Sequence, residues 1–512
     1  MHLASLLPRH ARSRPDHTAI VFGSTRLRFS ELNLRVNRLC HALLGLGLRK
    51  GDALAILLPN RLELLELYWA TARLGVVGVP LSPLLRGPGL VSLLSDSGAA
   101  AVVSSDELAG ELDGIRGELG SIAADRWILA GECRRPGYRS LAALVEAAPD
   151  HEPPDPGLEG DEPYNIIYSS GTTGLPKGIV LTHRVRGVYA TLFASALRIA
   201  PESVVLHAGS LVFNGAFVTL MPAMALGSTF VSEARFDAGA VLDTIARERV
   251  THAMMVPFQI IALMQAPGWA SADLSSLRMI CSVGAPLHRE HKDAFPRRLP
   301  GVLHELYGLT EGFMTILDRD DFARKTDSVG CPVPFFEMRI VGEDGCPAPP
   351  GTVGEIVGRG PMLMAGYHGR PDLTAQAIRD GWLFTGDLGY ADAEGFLYLV
   401  DRKKDMIISG GVKIYPRDIE ELAARHPAVR EVAVFGIPDE KWGETPVAAI
   451  ILREPGAASA EELRAWINQR VAARFQQLRE VLLMDDFPRS AAGKTLKREM
   501  RDRFWAGRDT RI

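Results

Sequence analysis

Tyr164-Asn165-Ile166-Ile167-Tyr168-Ser169-Ser170-Gly171-Thr172-Thr173-Gly174-Leu175-Pro176-Lys177-Gly178, running into the apolar Ile179-Val180-Leu181, is the segment on which the fold and chemistry of this chain turn. A phosphate needs many donors in little space, and this composition supplies them. Glycine lets backbone N–H groups approach closely, Ser and Thr add O–H donors, and Lys177 adds a point positive charge. A solvated surface turn needs far fewer donors. The segment is not a Walker A loop, because Pro176 stands where the second glycine of GxxxxGK(S/T) belongs and Gly178 follows the lysine. A dinucleotide fingerprint also fails, since Gly45-Leu46-Gly47 is followed at the required position by Lys50. Ile280 stands two residues before Ser282, so there is no GxSxG nucleophile elbow.

On the N-terminal side of the loop, Leu32, Val36, Leu39, Leu43 and Leu46 recur at helical spacing, and Ala53 to Leu58 predicts a buried strand. A helix over Leu62 to Leu74 and a second buried strand over Val76 to Pro80 follow, and the alternation continues to about residue 230. A parallel sheet layered by helices is the economical reading. From 325 to 400 glycine and proline thicken, and short β pieces at Phe336 to Val341 and Glu355 to Val357 predict a small β unit. Beyond the charged Asp401-Arg402-Lys403-Lys404-Asp405 the chain restarts, with strands at Met406 to Ile408, Glu431 to Phe435 and Val447 to Leu452 and a helix around Asp418 to Arg425. The expected division is 1–400 for the N-terminal domain, 401–404 for a hinge and 405–512 for the C-terminal domain.

A chain of 512 residues exceeds what one core supports, so two or more domains follow. Hydrophobic residues at 47% and charged residues at 23% describe a packed globular protein. A net charge of −4 carries no nucleic-acid footprint. Five cysteines, at 40, 133, 281, 331 and 346, are an odd set without a CxxC pair, which argues against a disulfide framework. No apolar run approaches the length of a membrane-spanning helix and no secretory signal is legible, so the cytoplasm is the expected location.

Tyr168-Ser-Ser-Gly-Thr-Thr-Gly-Leu-Pro-Lys-Gly178 closely resembles the signature loop of the adenylate-forming superfamily, which includes acyl-CoA synthetases, peptide-synthetase adenylation domains and luciferases. Four further segments resemble that family's motifs in the expected order. In Tyr307-Gly308-Leu309-Thr310-Glu311 the resemblance implies a ring stacked on adenine, a Thr on the α-phosphate and a Glu holding Mg²⁺. These are roles for which a flat apolar face and a hard carboxylate are suited. It further implies that Asp387, in Thr385-Gly386-Asp387-Leu388-Gly389, and Arg402 bind ribose, that Lys404 is the hinge, and that Lys494, after Gly493, reaches the site during adenylation. A cation there counters the repulsion between a carboxylate and the phosphates. On the nucleotide side it implies Ser169, Ser170, Gly171, Thr172, Thr173, Gly174, Lys177, Gly284, Ala285, Glu305 and Gly308 as well. The catalytic set that the resemblance implies is Lys494, Lys177, Thr310 and Glu311. The fold implied is α/β, with a large N-terminal domain of parallel sheets, helices and a small β-barrel unit, and a small mobile α+β C-terminal domain.

The acid pocket is expected from Val212, Phe213, Asn214, Val283, Gly284 and Gly308, with Phe217, Met221 and Met224 behind them. Asn214 lies near where amino-acid-activating relatives carry an Asp, and an amide cannot pair with a substrate ammonium, which argues against an α-amino acid. Val212 aligns with a His found in many aryl and acyl ligases, while His207 lies too early. Gly410 and Gly411 resemble the loop bordering a pantetheine path, although Val412-Lys413 and Phe475 to Leu478 depart from the pattern. The expectation is an acid–thiol ligase using ATP, Mg²⁺ and CoA on an apolar aliphatic or aromatic acid, as a monomer or homodimer. Two readings stay open beside it. One is a stand-alone enzyme that loads the phosphopantetheine of an acyl carrier protein. The other is a nucleotide-binding protein without turnover, which is expected to lack one of Lys494, Glu311 or Asp387.

Overall fold

Strand Ala53–Leu57, helix Leu62–Leu74 and strand Val77–Pro80 form the expected βαβ unit, the strands parallel with Ala53 opposite Val77. Every residue of the first strand is buried, as in a sheet covered on both faces. The computed structural model describes residues 2–131, 135–169, 176–410, 412–489 and 495–505. Helix Phe29–Gly45 presents Leu32, Val36, Leu39 and Leu43 to the core at 0–2% exposure, and its first turn is closed by the Glu31 carboxylate accepting the Arg28 N–H at 2.8 Å. Leu46 lies just beyond the helix end.

Contacts divide the chain into two units, Met1–Glu337 with Gly358–Leu383, and Met338–Val357 with Phe384–Ile512. Among the described residues, the larger unit contains two layered sheets. One runs in the order Gly366–Tyr367, Lys177–Thr182, Pro163–Ser169, Val77–Pro80, Ala53–Leu57, Ala99–Ser104, Trp127–Leu129, Arg139–Ser140. The other places Val204–His207, His252–Met255, Met279–Val283 and Leu303–Gly308 side by side and parallel. In such sheets ligands bind beyond the carboxyl ends of the strands. The segments starting at Ala208, Val256, Gly284 and Leu309 all leave those ends.

In the smaller unit, Asp387 to Ala391, the end of strand Trp382–Ala391, pairs antiparallel with Leu397–Arg402. Strands Ile407–Ser409 and Val412–Ile414, helix Pro416–Ala423 and a long hairpin follow. The separate strands expected at 431–435 and 447–452 belong to this hairpin, Val429–Asp439 with Gly443–Leu452. Asp439 extends it, because its Oδ1 accepts the N–H groups of Lys441 and Trp442, both at 2.9 Å, and tightens the turn. Strand Glu480–Leu483 adds in parallel, and Ile407, Ile414, Val434, Ile450, Leu463 and Ile467 fill the core. The fold is therefore mixed α/β, with a large N-terminal domain of parallel-stranded sheets and helices and a smaller C-terminal domain. Among the described residues no helix is long and apolar enough to cross a membrane.

Candidate active site

Pro163–Ser169 and Lys177–Thr182 are the two arms of an antiparallel hairpin with Ser169 opposite Lys177. In sequence the donor-rich segment connects these two arms. Ser170, Gly171, Thr172, Thr173 and Gly174 lie outside the described residues. Strand Gly366–Tyr367 extends the hairpin's edge, with Tyr367 opposite Ile179, and His368 N–H donates to Gly178 O at 2.7 Å. This pairing sets the Tyr367 ring 4.9 Å from Lys177 Nζ. The Tyr367 hydroxyl donates to Glu311 Oε1 at 2.9 Å. One ring thus couples the cation of the first motif to the carboxylate of the second. Burial first, then the charge of Glu311, pushes the Tyr367 phenol far up, so it stays a donor at any ordinary pH.

Glu311 stands in the turn between Leu303–Gly308 and Met314–Leu317. Its backbone oxygen accepts Met364 N–H at 2.8 Å, and Gly312 N–H donates to Leu309 O at 3.0 Å. Gly312 has φ +114°, and a Cβ there would meet Met362 O at 2.0 Å. Gly312→Ala therefore combines strain with a backbone clash and is expected to cost about 3 kcal/mol or more. A thermal midpoint equal to that of the unaltered protein would show that the turn gives way without cost.

Tyr307 and Thr310 are half-buried and Gly308 is exposed at the end of their strand. Glu305, two residues earlier than Tyr307, is 4% exposed and forms a buried ion pair with Lys292, whose Nζ also donates to Thr326 O at 3.0 Å. Gly284 and Ala285 are exposed and Val283 half-buried at the neighbouring strand end. The loop carrying Val212 and Phe213 is held from behind. Asn60 Nδ2 donates to Gly209 O at 2.7 Å, Asn60 Oδ1 accepts Leu211 N–H at 2.8 Å, and the Tyr68 hydroxyl donates to Leu211 O at 2.9 Å. Val212 is buried, while Phe213 and Asn214 are half-buried where helix Asn214–Leu226 begins. Phe217, Met221 and Met224 are core residues at 0–3% exposure. His207 is 2% exposed, and burial pushes its pKa down to about 4, so it is neutral and hydrogen-bonds Ser210 O through Nε2 at 3.2 Å.

In the smaller unit Asp387 pairs across the hairpin with Arg402, whose Nε lies 3.7 Å from Asp387 Oδ1. Thr385 Oγ1 accepts Asp387 N–H at 3.1 Å and donates to Ile356 O at 2.7 Å. Lys403 Nζ donates to Glu355 Oε2 at 2.8 Å. Lys404 follows in a tight turn in which Asp405 N–H returns to Arg402 O at 2.9 Å. Gly410 has φ +56°, its N–H donates to Trp442 O at 2.7 Å, and a Cβ on it would lie 2.7 Å from the Trp442 ring. Only glycine leaves that ring, 51% exposed, where it is. Gly411 and Lys494 lie outside the described residues.

The profile of the AMP-binding enzyme family matches residues 7–368, and that of the AMP-binding enzyme C-terminal domain matches residues 418–494. The chain belongs to the AMP-binding enzyme family. It is 38% identical over 510 residues to feruloyl-CoA synthase of an Amycolatopsis species, with 98% of this chain and 99% of that one covered. It is 36% identical over 511 residues to indoleacetate–CoA ligase of Aromatoleum aromaticum, with 98% of each covered. Among solved structures, o-succinylbenzoate CoA synthetase of Bacillus subtilis in complex with its acyl-adenylate intermediate matches with a TM-score of 0.86 and 30% identity over 98% of each chain. This member of the AMP-binding family is thus an enzyme of the adenylate-forming, acyl-CoA synthetase-like superfamily.

Two positioning residues escape a reading of the family's motifs. Tyr367 is signalled only by Gly366-Tyr367 standing ahead of Thr374, whose Oγ1 accepts Tyr367 N–H at 2.9 Å. Asn60 has no local signal, since its partners lie about 150 residues away in the chain. The magnesium ion that the family implies fits the donor set. Mg²⁺ takes one or two protein carboxylates and completes its shell with water and phosphate. Glu311 offers a carboxylate with one oxygen engaged by Tyr367. Among the described residues no group of three His, Cys, Asp or Glu side chains could hold a metal by itself.

Proposed function

We propose that this enzyme joins an apolar aliphatic or aromatic carboxylic acid to the thiol of CoA, consuming ATP and releasing pyrophosphate and AMP. The Lys177–Tyr367–Glu311 arrangement supports the reading, because the Tyr367 ring lies against the cation of Lys177 while its hydroxyl binds the carboxylate of Glu311, a group suited to magnesium. In the first half-reaction a substrate carboxylate oxygen attacks the α-phosphorus and the bond to pyrophosphate breaks. Lys177, Thr310 and Lys494 offset the gathering negative charge. Tyr307 stacks on adenine, and Asp387 with Arg402 takes the ribose hydroxyls. Magnesium held at Glu311 would neutralise phosphate charge.

In the second half-reaction the sulfur of the thiolate attacks the acyl carbon and the bond to AMP breaks. Gly410 and Gly411 border the thiol path, and a turn about Lys404 withdraws Lys494 between the two steps. The relatives named for feruloyl and indoleacetate thioesters support both an aromatic acid and CoA as acceptor. ATP–pyrophosphate exchange over a panel of carboxylic acids, followed by a thioester assay with CoA and with a carrier protein, tests the reading. Exchange confined to amino acids would sink the choice of acid, and acylation of the carrier alone would sink CoA.

A further inference from the structure

Arg186, on helix His183–Ala196, is 0% exposed, yet no carboxylate among the described residues acts on it. Among the described residues, the ionisable groups that act on it are the phenols of Tyr189, Tyr164 and Tyr68. Two of those phenols donate elsewhere, Tyr68 to Leu211 O at 2.9 Å and Tyr164 to Tyr68 O at 3.2 Å. The guanidinium lies over the rings of Phe217, at 4.0 Å, and Tyr189, at 4.8 Å. Its Nε donates to Asn165 Oδ1 at 3.2 Å, while Nη1 and Nη2 have no hydrogen-bond partner among the described residues. Asn165, 1% exposed, has no hydrogen-bond partner for its Nδ2 among the described residues.

An unpaired buried charge costs several kcal/mol, and arginine does not escape by losing its proton. Burial pulls its pKa down only to about 10, so it stays charged at neutral pH. The shortage is of acceptors. Three nitrogen atoms lack a hydrogen-bond acceptor among the described residues, which matches a carboxylate with its two oxygens and about four lone pairs. The position joins this deficit to the acid pocket. Asn214, half-buried in the pocket segment, donates to the Tyr189 hydroxyl at 3.4 Å, and Phe217 lies one turn further along the same helix.

We propose that Arg186, with Asn165, is a specificity site for a second carboxylate at the far end of the acid that this enzyme activates. The proposal rests on the adenylation reading above and narrows its substrate class to an apolar body that ends in an oxygen acceptor. It is tested by exchange assays on the full chain with series of monocarboxylic acids and their ω-carboxy and ω-hydroxy analogues of stepped length. At one length the ω-carboxy acid is expected to exceed its parent in kcat/KM by at least about 30-fold, with the ω-hydroxy acid between them. Arg186→Met is expected to bring that ratio near one, and Arg186→Lys to restore part of it.

Thermal protection of the unaltered protein by the same dicarboxylic acid, without ATP, is a second readout that needs no folded variant. A parent acid preferred at every length, or a ratio untouched by Arg186→Met, would overturn the proposal and leave an internal water as the partner of Arg186. Exchange with no acid at all would remove the adenylation reading, and this one with it.

Discussion

Lys494→Ala is expected to lower ATP–pyrophosphate exchange about 100- to 1,000-fold, while thioester formation from supplied acyl-adenylate stays within about threefold of the unaltered enzyme. Two anions meet in the first half-reaction, the acid's carboxylate and the α-phosphate. A cation that engages both lowers the barrier where charge accumulates. The second half-reaction starts from an adenylate whose acyl carbon is neutral, so the same cation has little to offset. The residues flanking this lysine are fastened. Arg489 bridges to Thr495, Leu496 N–H donates to Pro488 O at 2.8 Å, and Arg489 pairs with Glu431 at 2.8 Å. Lys497 pairs with Glu420 at 2.6 Å, and the same carboxylate accepts Val434 N–H at 2.6 Å. These flanking contacts remain in the variant, and a thermal midpoint measured beside that of the unaltered protein checks that they hold. Equal loss in both half-reactions would refute the assignment.

Glu311→Gln is expected to cost a similar factor in exchange, about 100-fold or more, with part of the loss recovered at high magnesium. The amide keeps the shape of the side chain and can still accept from the Tyr367 hydroxyl, now 2.9 Å from Oε1, so the turn and its backbone bond to Met364 persist. What disappears is the negative charge that a hard cation requires. Tyr367→Phe separates the two contributions, since it frees the carboxylate but leaves its charge. A loss of about tenfold is expected there, in line with one charge-assisted hydrogen bond. Full exchange activity in Glu311→Gln would remove Glu311 from the metal assignment.

Periodicity read the layered α/β character well where burial is complete on both faces. Ala53–Leu57 and Val77–Pro80 are apolar throughout and pair as expected, because a sheet between helix layers leaves no polar face to blur the pattern. It read the C-terminal hairpin poorly. The residues of Val429–Asp439 and Gly443–Leu452 nearest the turn are polar and partly exposed, so only the apolar inner portions were legible. The two compact units are also interleaved, with 338–357 grouped with 384–512, and the rise in glycine and proline over 325–400 spans that division without marking it.

Local donor density, a lysine at a strand start, and a tyrosine and a glutamate at a strand end are properties of neighbouring residues. The sequence by itself was therefore enough to name the superfamily, and to propose the phosphate loop and Glu311 as parts of its site. Contacts between distant segments are another matter. That Lys177 and Glu311 share the Tyr367 ring, and that Asn60 and Tyr68 hold the loop at 209–211, follows from strand pairing and helix packing that bring separate stretches together. Arg186 is the sharpest case. In the sequence it is one of two arginines in His183-Arg184-Val185-Arg186, and only the packing of Tyr189, Phe217 and Asn165 around it shows a buried cation with no anion among the described residues, because desolvation is a property of the closed core and not of the chain.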